Sequence, residues 1–337
     1  MALTIHLGAH KTATTHLQQS LRQVRRELRQ GGVFYAGPGV LRDRGARLER
    51  ILGGHGELRM DSGLGRALAE VRHCLPEMLL SEENILGGTS RRRIVGPQGV
   101  FYPGAGRRLQ RLIALAGGGP ATLCLAVRDP ASFNVSAFAV QLAYGKEIDI
   151  EDYLVGRDPA RLDWAALVAR LSAVPGVARI IVWRYEDYPA LRPQILARML
   201  PPGLGAIVPE APRSNESITQ AGYDWLLEQA DASEDADLRA LVHEARIRFG
   251  RAQGHGPMRP FADEVYARSA ACYAENVARL ALQGVTDGGE SGEPNRLRPL
   301  VLQHRQIHHA HPDLLSQRGQ GHIAFGEQLV EHVHRRA

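Results

Sequence analysis

The chain is poor in cysteine and contains almost no lysine. Its three cysteines, Cys74, Cys124 and Cys272, are far apart and include no Cys-x-x-Cys pair. The sequence therefore predicts neither a disulfide framework nor a structural metal site. Of 41 lysine and arginine residues, only Lys11 and Lys146 are lysines. Because arginine is so common in this chain, finding an arginine at a given position is weak evidence for a functional site. A lysine in a turn is stronger evidence, because lysine is rare here.

Long apolar runs are also missing. No run approaches the roughly 20 residues that a membrane-spanning helix needs. The opening stretch "MALTIHLGAHK" lacks the basic start and apolar segment of a signal peptide. Together with the few cysteines, these absences predict a cytoplasmic protein without a transmembrane segment.

The sequence features of nucleic-acid binding are absent as well. The chain has no long basic helix, no zinc-finger spacing and no interleaving of aromatic with basic residues. Its net charge of +5 is a mild excess that suits an anionic small ligand. We therefore expect no nucleic-acid partner.

Short apolar runs alternate with helical patterns along the chain. Leu17, Leu21, Val24 and Leu28 recur at the spacing of one helix face. Strands alternating with helices predict an α/β fold, with a central parallel sheet flanked by helices. The runs that resemble buried strands are residues 3–7, 75–80, 122–127 and 180–183.

The remaining segments suggest a division of the chain. Residues 37–65 and 85–106 are rich in Gly and Arg and are predicted to be long surface loops. A C-terminal helical segment follows Ile218. We expect one α/β domain over residues 1–285, a linker over 286–299 and a His-rich tail over 300–337, which holds half of the 14 histidines. The spacing of His304 and His308 is conceivable for a metal, but no carboxylate or cysteine pattern accompanies it, so no metal is expected.

The stretch "LTIHLGAHKTATTHLQQSL", residues 3–21, predicts a strand, a polar turn and a helix. The N–H groups at such a helix start point toward one spot, and Lys11 adds a full positive charge there. Thr12, Thr14 and Thr15 offer hydroxyl donors. A phosphate-binding Walker A loop would need glycines where Ile5 and His10 stand, so that motif is not matched. The plain alternative is a capped turn.

A second junction lies in "LCLAVRDPASFNVSAF", residues 123–138. Arg128 ends an apolar strand, Asp129 is a good N-cap, and Pro130 suits the first helical position. Ser136 then lies about two turns into the helix. Arginine and serine can hold one anion between them. The alternative is an ordinary capped junction whose arginine pairs with a nearby acid.

Taken together, the two stretches resemble the sulfotransferases that use 3′-phosphoadenosine-5′-phosphosulfate (PAPS). In that family P-K-[ST]-G-T-T cradles the phosphosulfate and R-x-P-x5-S holds the 3′-phosphate. The first pattern matches "HKTATT", which is His10, Lys11, Thr12, Ala13, Thr14 and Thr15, and the second matches Arg128, Pro130 and Ser136. "LLSEENIL" and "RIIVWRYEDYPAL" fit the bacterial branch, and the resemblance spans residues 3–280. It implies the P-loop-like fold of that family.

The sequence departs from the family pattern at several positions. Ala13 replaces a glycine, which would cost about 1 kcal/mol or more if the loop needs a positive φ there. His10 replaces a proline. The Gly-Lys-rich nucleotide loop of the cytosolic enzymes is not visible, and Arg213 in "PRSNES" is the candidate to take over part of its role.

The resemblance also implies a reaction and roles. The reaction is in-line transfer of a sulfuryl group from PAPS to an acceptor hydroxyl of a saccharide, lipid or small metabolite, with PAP as product and no metal. Lys11 would stabilise the bridging oxygen, and Glu83 in "SEEN" would be the base. Glu82, His10 and His16 are alternative bases. The other implied cofactor-binding residue is Tyr185, near the adenine, although a core tyrosine is equally compatible with its position.

Two other functions remain open on this evidence. A nucleotide-dependent kinase would use the same loop but needs Mg²⁺ ligands, and a non-catalytic nucleotide-binding protein would keep the loop without a base. The run of Ser90, Arg91, Arg92 and Arg93 would either meet an anionic acceptor or be solvated, and solvation is the favoured interpretation. The sequence predicts neither the acceptor nor the oligomeric state.

Overall fold

The computed structural model describes residues 2–43, 48–54, 56, 58–60, 62–88, 90–96, 98–146, 148–212, 217–232 and 237–283, together with the strand 300–303. Six strands form one sheet: β1 (Ala2–Gly8), β2 (Val33–Ala36), β3 (Glu77–Ser81), β4 (Ala121–Val127), β5 (Val177–Arg184) and β6 (Leu300–Gln303). Their order is β2-β3-β1-β4-β5-β6. The first five pair in parallel, and β6 runs antiparallel to β5. The predicted α/β fold with a central parallel sheet is confirmed.

Helices connect the strands and cover both faces of the sheet. From β1 to β3 they are α1 (Thr14–Gln23), α2 (Arg25–Gln30), α3 (Pro38–Leu41), α4 (Leu48–Gly53) and α5 (Gly63–Cys74). From β3 to β5 they are α6 (Arg91–Ile94), α7 (Ala105–Leu115), α8 (Pro130–Ala143), α9 (Ile150–Leu154) and α10 (Trp164–Ser172). After β5 follow α11 (Tyr188–Met199), α12 (Gln220–Asp231), α13 (Leu238–Arg248) and α14 (Asp263–Gln283). Short 3₁₀ turns include Glu83–Ile85 and Tyr185–Asp187.

Two apolar cores lie on opposite faces of the sheet, because successive side chains of a strand point to opposite sides. One core contains Ile5 and Leu7 of β1 and packs beneath α7, α8 and α10. The other contains Leu17 and Leu21 of α1 and Trp183 of β5, and it packs beneath α1 and α11. The helices cover the two faces of the sheet, so the carboxyl ends of its parallel strands are covered only by the loops that follow them.

Several predicted boundaries need correction. The helical pattern from Leu17 to Leu28 is two helices, because the chain leaves helical geometry at Val24 (φ −110°). The predicted loops 37–65 and 85–106 hold the short helices α3, α4 and α6, whose buried residues include Leu41, Leu52 and Ile94. Tertiary burial, not periodicity, stabilises helices this short.

The C-terminal part is described only in pieces. Helices α12, α13 and α14 confirm the predicted C-terminal helical segment. The predicted linker 286–299 lies outside the described residues, as do His304, His308 and the rest of the tail beyond 303. The first residues of the predicted tail, Leu300–Gln303, form the edge strand β6. Within the described ranges, no helix is long and apolar enough to cross a membrane.

Candidate functional site

The predicted site residues follow strands that end at the same edge of the sheet. The loop after β1 carries His10 and Lys11, and the turn after β3 carries Glu83. Arg128 follows β4, and Tyr185 follows β5. Since β3, β1, β4 and β5 are neighbours in that order, the four connections are adjacent. This carboxyl edge is where α/β sheets bind ligands.

The backbone from Gly8, the last residue of β1, to Ala13, the residue before α1, has positive φ angles at three positions. Gly8, Lys11 and Ala13 have φ angles of 65°, 63° and 62°. The hydroxyls of Thr12 and Thr14 both donate to the carbonyl oxygen of Ala9, at 2.8 and 3.0 Å. These two hydroxyl protons close the loop, and this corrects the expectation that they point outward to an anion. Thr15 is exposed on the first turn of α1.

Backbone N–H groups form the inner surface of this loop. Among the described residues, none of the N–H groups of residues 11–15 donates to a backbone carbonyl or a side chain. Helix α1 has no side-chain N-cap, because Ala13 occupies the cap position in left-handed geometry. Successive free N–H groups with alternating φ form an anion-binding concavity, and the dipole of α1 adds partial positive charge. The loop can therefore bind a phosphate-like group.

Lys11 brings a full charge to the loop. It is half-buried and forms no ion pair with any carboxylate in the described part of the chain. Burial, together with the smaller effects of the positive charges of Arg128 and Arg246, lowers the pKa of its ammonium to about 8. Nearby cations that lack a carboxylate are stabilised by an anionic ligand.

Arg128 joins the two motifs found in the sequence. Its Nη1 donates to the carbonyl oxygen of Lys11 at 2.6 Å, across 117 positions of sequence. Its guanidinium lies over the ring of Tyr185, 4.4 Å from the centroid, and its buried Nε has no partner. Burial lowers the pKa of Arg128. No described carboxylate forms an ion pair with it, which argues against the plain alternative of an arginine paired with an acid.

The helix after Arg128 starts as the sequence predicts. Asp129 is the N-cap of α8 and accepts from the N–H of Ser132 at 2.9 Å, with Pro130 at the first position. Ser269 of α14 accepts from the N–H of Ala131 and donates to Asp129. Ser136 is buried two turns along α8, and its hydroxyl forms no hydrogen bond to Arg128 or to any other described residue. Its role toward a 3′-phosphate stays a prediction.

The two glutamates after β3 have different environments. The side chain of Glu82 is 1% exposed, binds Arg42 through both oxygens at 2.7 Å and accepts from the N–H of Asn84. The side chain of Glu83 is 17% exposed, with Oε1 at 2.6 Å from Arg42 and Oε2 at 3.1 Å from Gln18. Burial alone would raise the pKa of Glu83, but Arg42 and the hydrogen bonds outweigh it and lower that pKa. Glu83 is the more accessible carboxylate of the two, and its lowered pKa favours the ionised form.

The two histidines considered as bases are engaged elsewhere. His10 is buried, with Nδ1 at 2.7 Å from the hydroxyl of Tyr102 and Nε2 at 3.3 Å from Oδ1 of Asn84. Burial lowers its pKa, so it remains neutral and fixes the loop to the turn after β3. His16 contacts the hydroxyl of Tyr188 through Nδ1 at 2.9 Å. Both ring nitrogens of His10 are therefore engaged, whereas Nε2 of His16 has no hydrogen-bond partner among the described residues.

Some site residues were missed by sequence reasoning. Arg42, the partner of both glutamates, is one arginine among many in a region predicted to be a loop, and no signal marks it. The arginines that follow the glutamates in sequence, Arg91 to Arg93, form none of the described ion pairs with them, and Arg93 pairs with Glu49. Gln18 lies one turn after Thr14 in the quoted opening stretch, but nothing in the sequence indicates that it contacts Glu83. Arg213 lies outside the described residues. Within the described ranges, no group of three or more His, Cys, Asp or Glu side chains is arranged to hold a metal.

Comparisons with known proteins give one similarity. No protein-family model matches the chain, and no curated protein matches its sequence. Among solved structures, the chain is similar to the crystal structure of a sulfotransferase from Alicyclobacillus acidocaldarius, with 17% sequence identity and a TM-score of 0.38. The match covers 72% of this chain and 96% of that one. A match at this level does not assign the chain to a family, so its function has to be inferred from the residues of the site.

Proposed function

We propose that the chain transfers a sulfuryl group from PAPS to an acceptor hydroxyl. The observation that carries the proposal is the contact between Arg128 and the carbonyl oxygen of Lys11. It brings together the two stretches that resemble the PAPS-binding motifs, and both of their cations lack a carboxylate partner among the described residues.

The donor fits the groups available at this edge of the sheet. The free N–H groups of residues 11–15 and the ammonium of Lys11 would hold the 5′-phosphosulfate. Arg128, whose buried Nε has no partner, would hold the 3′-phosphate, together with Ser136 and with Arg213 from outside the described residues. The ring of Tyr185 offers the adenine an aromatic surface, although Arg128 already covers part of it.

The roles of the residues follow from where negative charge develops during sulfuryl transfer. The acceptor oxygen forms a new S–O bond while the bond from sulfur to the bridging oxygen breaks, and that electron pair stays on the departing phosphate. Lys11 would stabilise the negative charge that builds up on the bridging oxygen, which typically contributes about 10²–10³ in rate. The acceptor's proton would go to Glu83, because that carboxylate is ionised and accessible. Glu82 would position the turn through Arg42.

The test is titration calorimetry of the purified chain with PAP and, separately, with ATP plus Mg²⁺. We expect saturable PAP binding that Lys11→Ala and Arg128→Ala each weaken by about 10- to 100-fold, as expected for one lost charge-assisted contact to a phosphate. Lys146→Ala is the matched control for Lys11, because Lys146 is the other lysine and is exposed. Glu83→Gln should retain PAP binding.

Two results of these titrations would overturn the proposal. One is the absence of PAP binding by the wild-type chain, or binding that neither substitution weakens. The other is a preference for ATP plus Mg²⁺, which would favour a kinase. PAP binding without sulfuryl transfer to any acceptor in a broad panel would favour a non-catalytic nucleotide-binding protein.

A further inference from the structure

Arg91 differs from the two arginines that follow it. Arg92 is exposed, and Arg93 pairs with Glu49 at 2.7 Å. The side chain of Arg91 instead turns inward, where Nη1 donates to Oδ1 of Asn134 at 2.8 Å and the guanidinium lies over the ring of Tyr153, 5.4 Å from its centroid. This corrects the expectation that the whole run is solvated.

The charge of Arg91 is not balanced by any carboxylate in the described ranges. No described acid forms an ion pair with it, and its Nε–H is buried without a partner. Burial lowers its pKa, Tyr153 has a smaller opposing effect, and the positive charge of Arg157 adds slightly to the lowering. Burying a cation without a neighbouring carboxylate costs free energy, and binding an anion would recover part of that cost. The Nε–Nη2 edge binds carboxylates bidentately, as Arg42 does with Glu82, and in Arg91 this edge meets no described carboxylate.

The position of Arg91 relates this charge to the proposed site. Arg91 lies on the segment that leaves Glu83 and is fixed to Asn134, which is buried on α8. Asn134 also donates to the carbonyl oxygens of Pro130 and Pro159, so the anchor point is rigid. Arg91 therefore connects the turn that carries the proposed base to the helix that follows Arg128.

We propose that Arg91 binds an anionic group on the acceptor, so that the acceptor is an acidic molecule such as one bearing a carboxylate or a phosphate. The inference rests on the proposed function, because it concerns the acceptor side of the same site. The ring of Tyr153 and the amide of Asn134 hold the guanidinium in one orientation, and this favours binding of an anionic group.

The test uses binding of matched glycosides to the chain saturated with PAP. The probes are 4-nitrophenyl β-D-glucoside, the corresponding glucuronide and the corresponding glucoside 6-phosphate, titrated by calorimetry. We expect the wild type to bind at least one acidic probe about 10-fold more tightly than the neutral one, the contribution of one charge-assisted contact. Arg91→Gln, which keeps a donor for Asn134, should reduce the preference to below about 3-fold. Arg91→Lys should retain part of it, and Arg92→Gln should leave it unchanged.

The outcomes separate this inference from the proposed function. Equal binding of neutral and acidic probes by the wild type, binding of none of them, or an equal loss of all probes in Arg91→Gln would overturn the acidic subsite. In those cases intact PAP binding would leave the proposed function standing. If the wild type fails to bind PAP at all, both proposals are overturned. The melting temperature of Arg91→Gln is the control for a purely structural role, which would lower stability without changing the ratio between probes.

Discussion

Three residues between the end of β1 and the start of α1 have positive φ, and only Gly8, the last residue of β1, is a glycine. Lys11 and Ala13 hold left-handed geometry that costs about 1 kcal/mol or more for a residue with a Cβ. Ala13 therefore occupies a position that requires positive φ, as the sequence comparison with glycine-containing loops suggested. The hydrogen bonds from Thr12 and Thr14 to Ala9 hold the strained loop in place. Backbone strain of this kind is concentrated at ligand-binding sites.

The first residue-scale prediction concerns Gly8. A Cβ at this position would lie 2.3 Å from Oγ1 of Thr14, in addition to the strain of φ +65°. We expect Gly8→Ala to lower the free energy of unfolding by about 3 kcal/mol or more, because Thr14 closes the loop and cannot move away freely. Gly118→Ala is the matched control, since Gly118 has φ +66° and open space around it, and it should cost only about 1 kcal/mol. Urea unfolding of the two variants measures the difference, and equal losses would show that the clash with Thr14 does not matter.

The second residue-scale prediction concerns the charge of Lys11. Its pKa of about 8 means that the ammonium begins to lose its proton just above neutral pH. An anion binds the protonated form, so PAP affinity should fall progressively as the pH rises from 8 to 9.5. Lys11→Arg stays charged over this range and should show a flatter profile. The measurement is PAP affinity by titration calorimetry between pH 7 and 9.5. Parallel pH profiles for the wild type and Lys11→Arg would contradict a role for the charge of Lys11.

At the scale of elements, helix α14 is attached to the junction between β4 and α8. Ser269 accepts from the N–H of Ala131 at 2.9 Å and donates to Asp129 at 2.7 Å. Tyr273, one turn further on, donates to Glu186 at 2.8 Å and lies 3.1 Å from the carbonyl oxygen of Val127. The C-terminal helix thus holds the segment from which Arg128 projects.

The element-scale prediction follows from this attachment. Ser269 is fully buried, so Ser269→Ala leaves the N–H of Ala131 without a partner. We expect a loss of about 1–3 kcal/mol in the free energy of unfolding, the usual cost of a buried unsatisfied donor. Ser90→Ala is the control, because Ser90 is exposed and its side chain caps no helix by a hydrogen bond. A change within error for Ser269→Ala in denaturant unfolding would show that water or a rearranged side chain replaces the hydroxyl.

Sequence reasoning succeeded for elements whose signal is local. The four predicted strands are continuous apolar runs, and residues 3–21 and 123–138 each carry a strand and a helix start within about 20 residues. It failed for β2, which is four residues long, and for the short helices α3, α4 and α6, whose stability comes from burial against other elements. The pairing of Arg42 with Glu82 and Glu83 joins residues 40 and 41 positions apart, and nothing local distinguishes Arg42 from other arginines.

At the scale of the whole molecule, the two faces of β1 have opposite characters. Ile5 and Leu7 enter one apolar core, whereas His6, 1% exposed, lies on the other side with Nδ1 at 2.7 Å from the hydroxyl of Ser81. The ring of His6 stacks on Trp183 of β5, with centroids 6.0 Å apart. A neutral histidine is therefore built into the centre of the sheet, next to the strand end that leads into the loop of His10 and Lys11.

This buried histidine makes global stability depend on pH. Burial lowers the pKa of His6 from 6.5 to about 4, against a smaller opposing effect of Glu83. Between these two values the unfolded chain binds a proton that the folded chain does not, so stability falls as the pH drops from 6.5 toward 4. At pH 5 the loss attributable to His6 is about 2 kcal/mol.

His6→Gln, which keeps an amide for Ser81, should show a correspondingly smaller drop in unfolding free energy between pH 7.5 and pH 5. The exposed His243→Gln should behave like the wild type. The remaining drop in His6→Gln should include a contribution from His10, whose pKa burial also lowers. An identical drop in wild type and His6→Gln, measured by urea unfolding at the two pH values, would place the acid sensitivity of the fold outside its central strand.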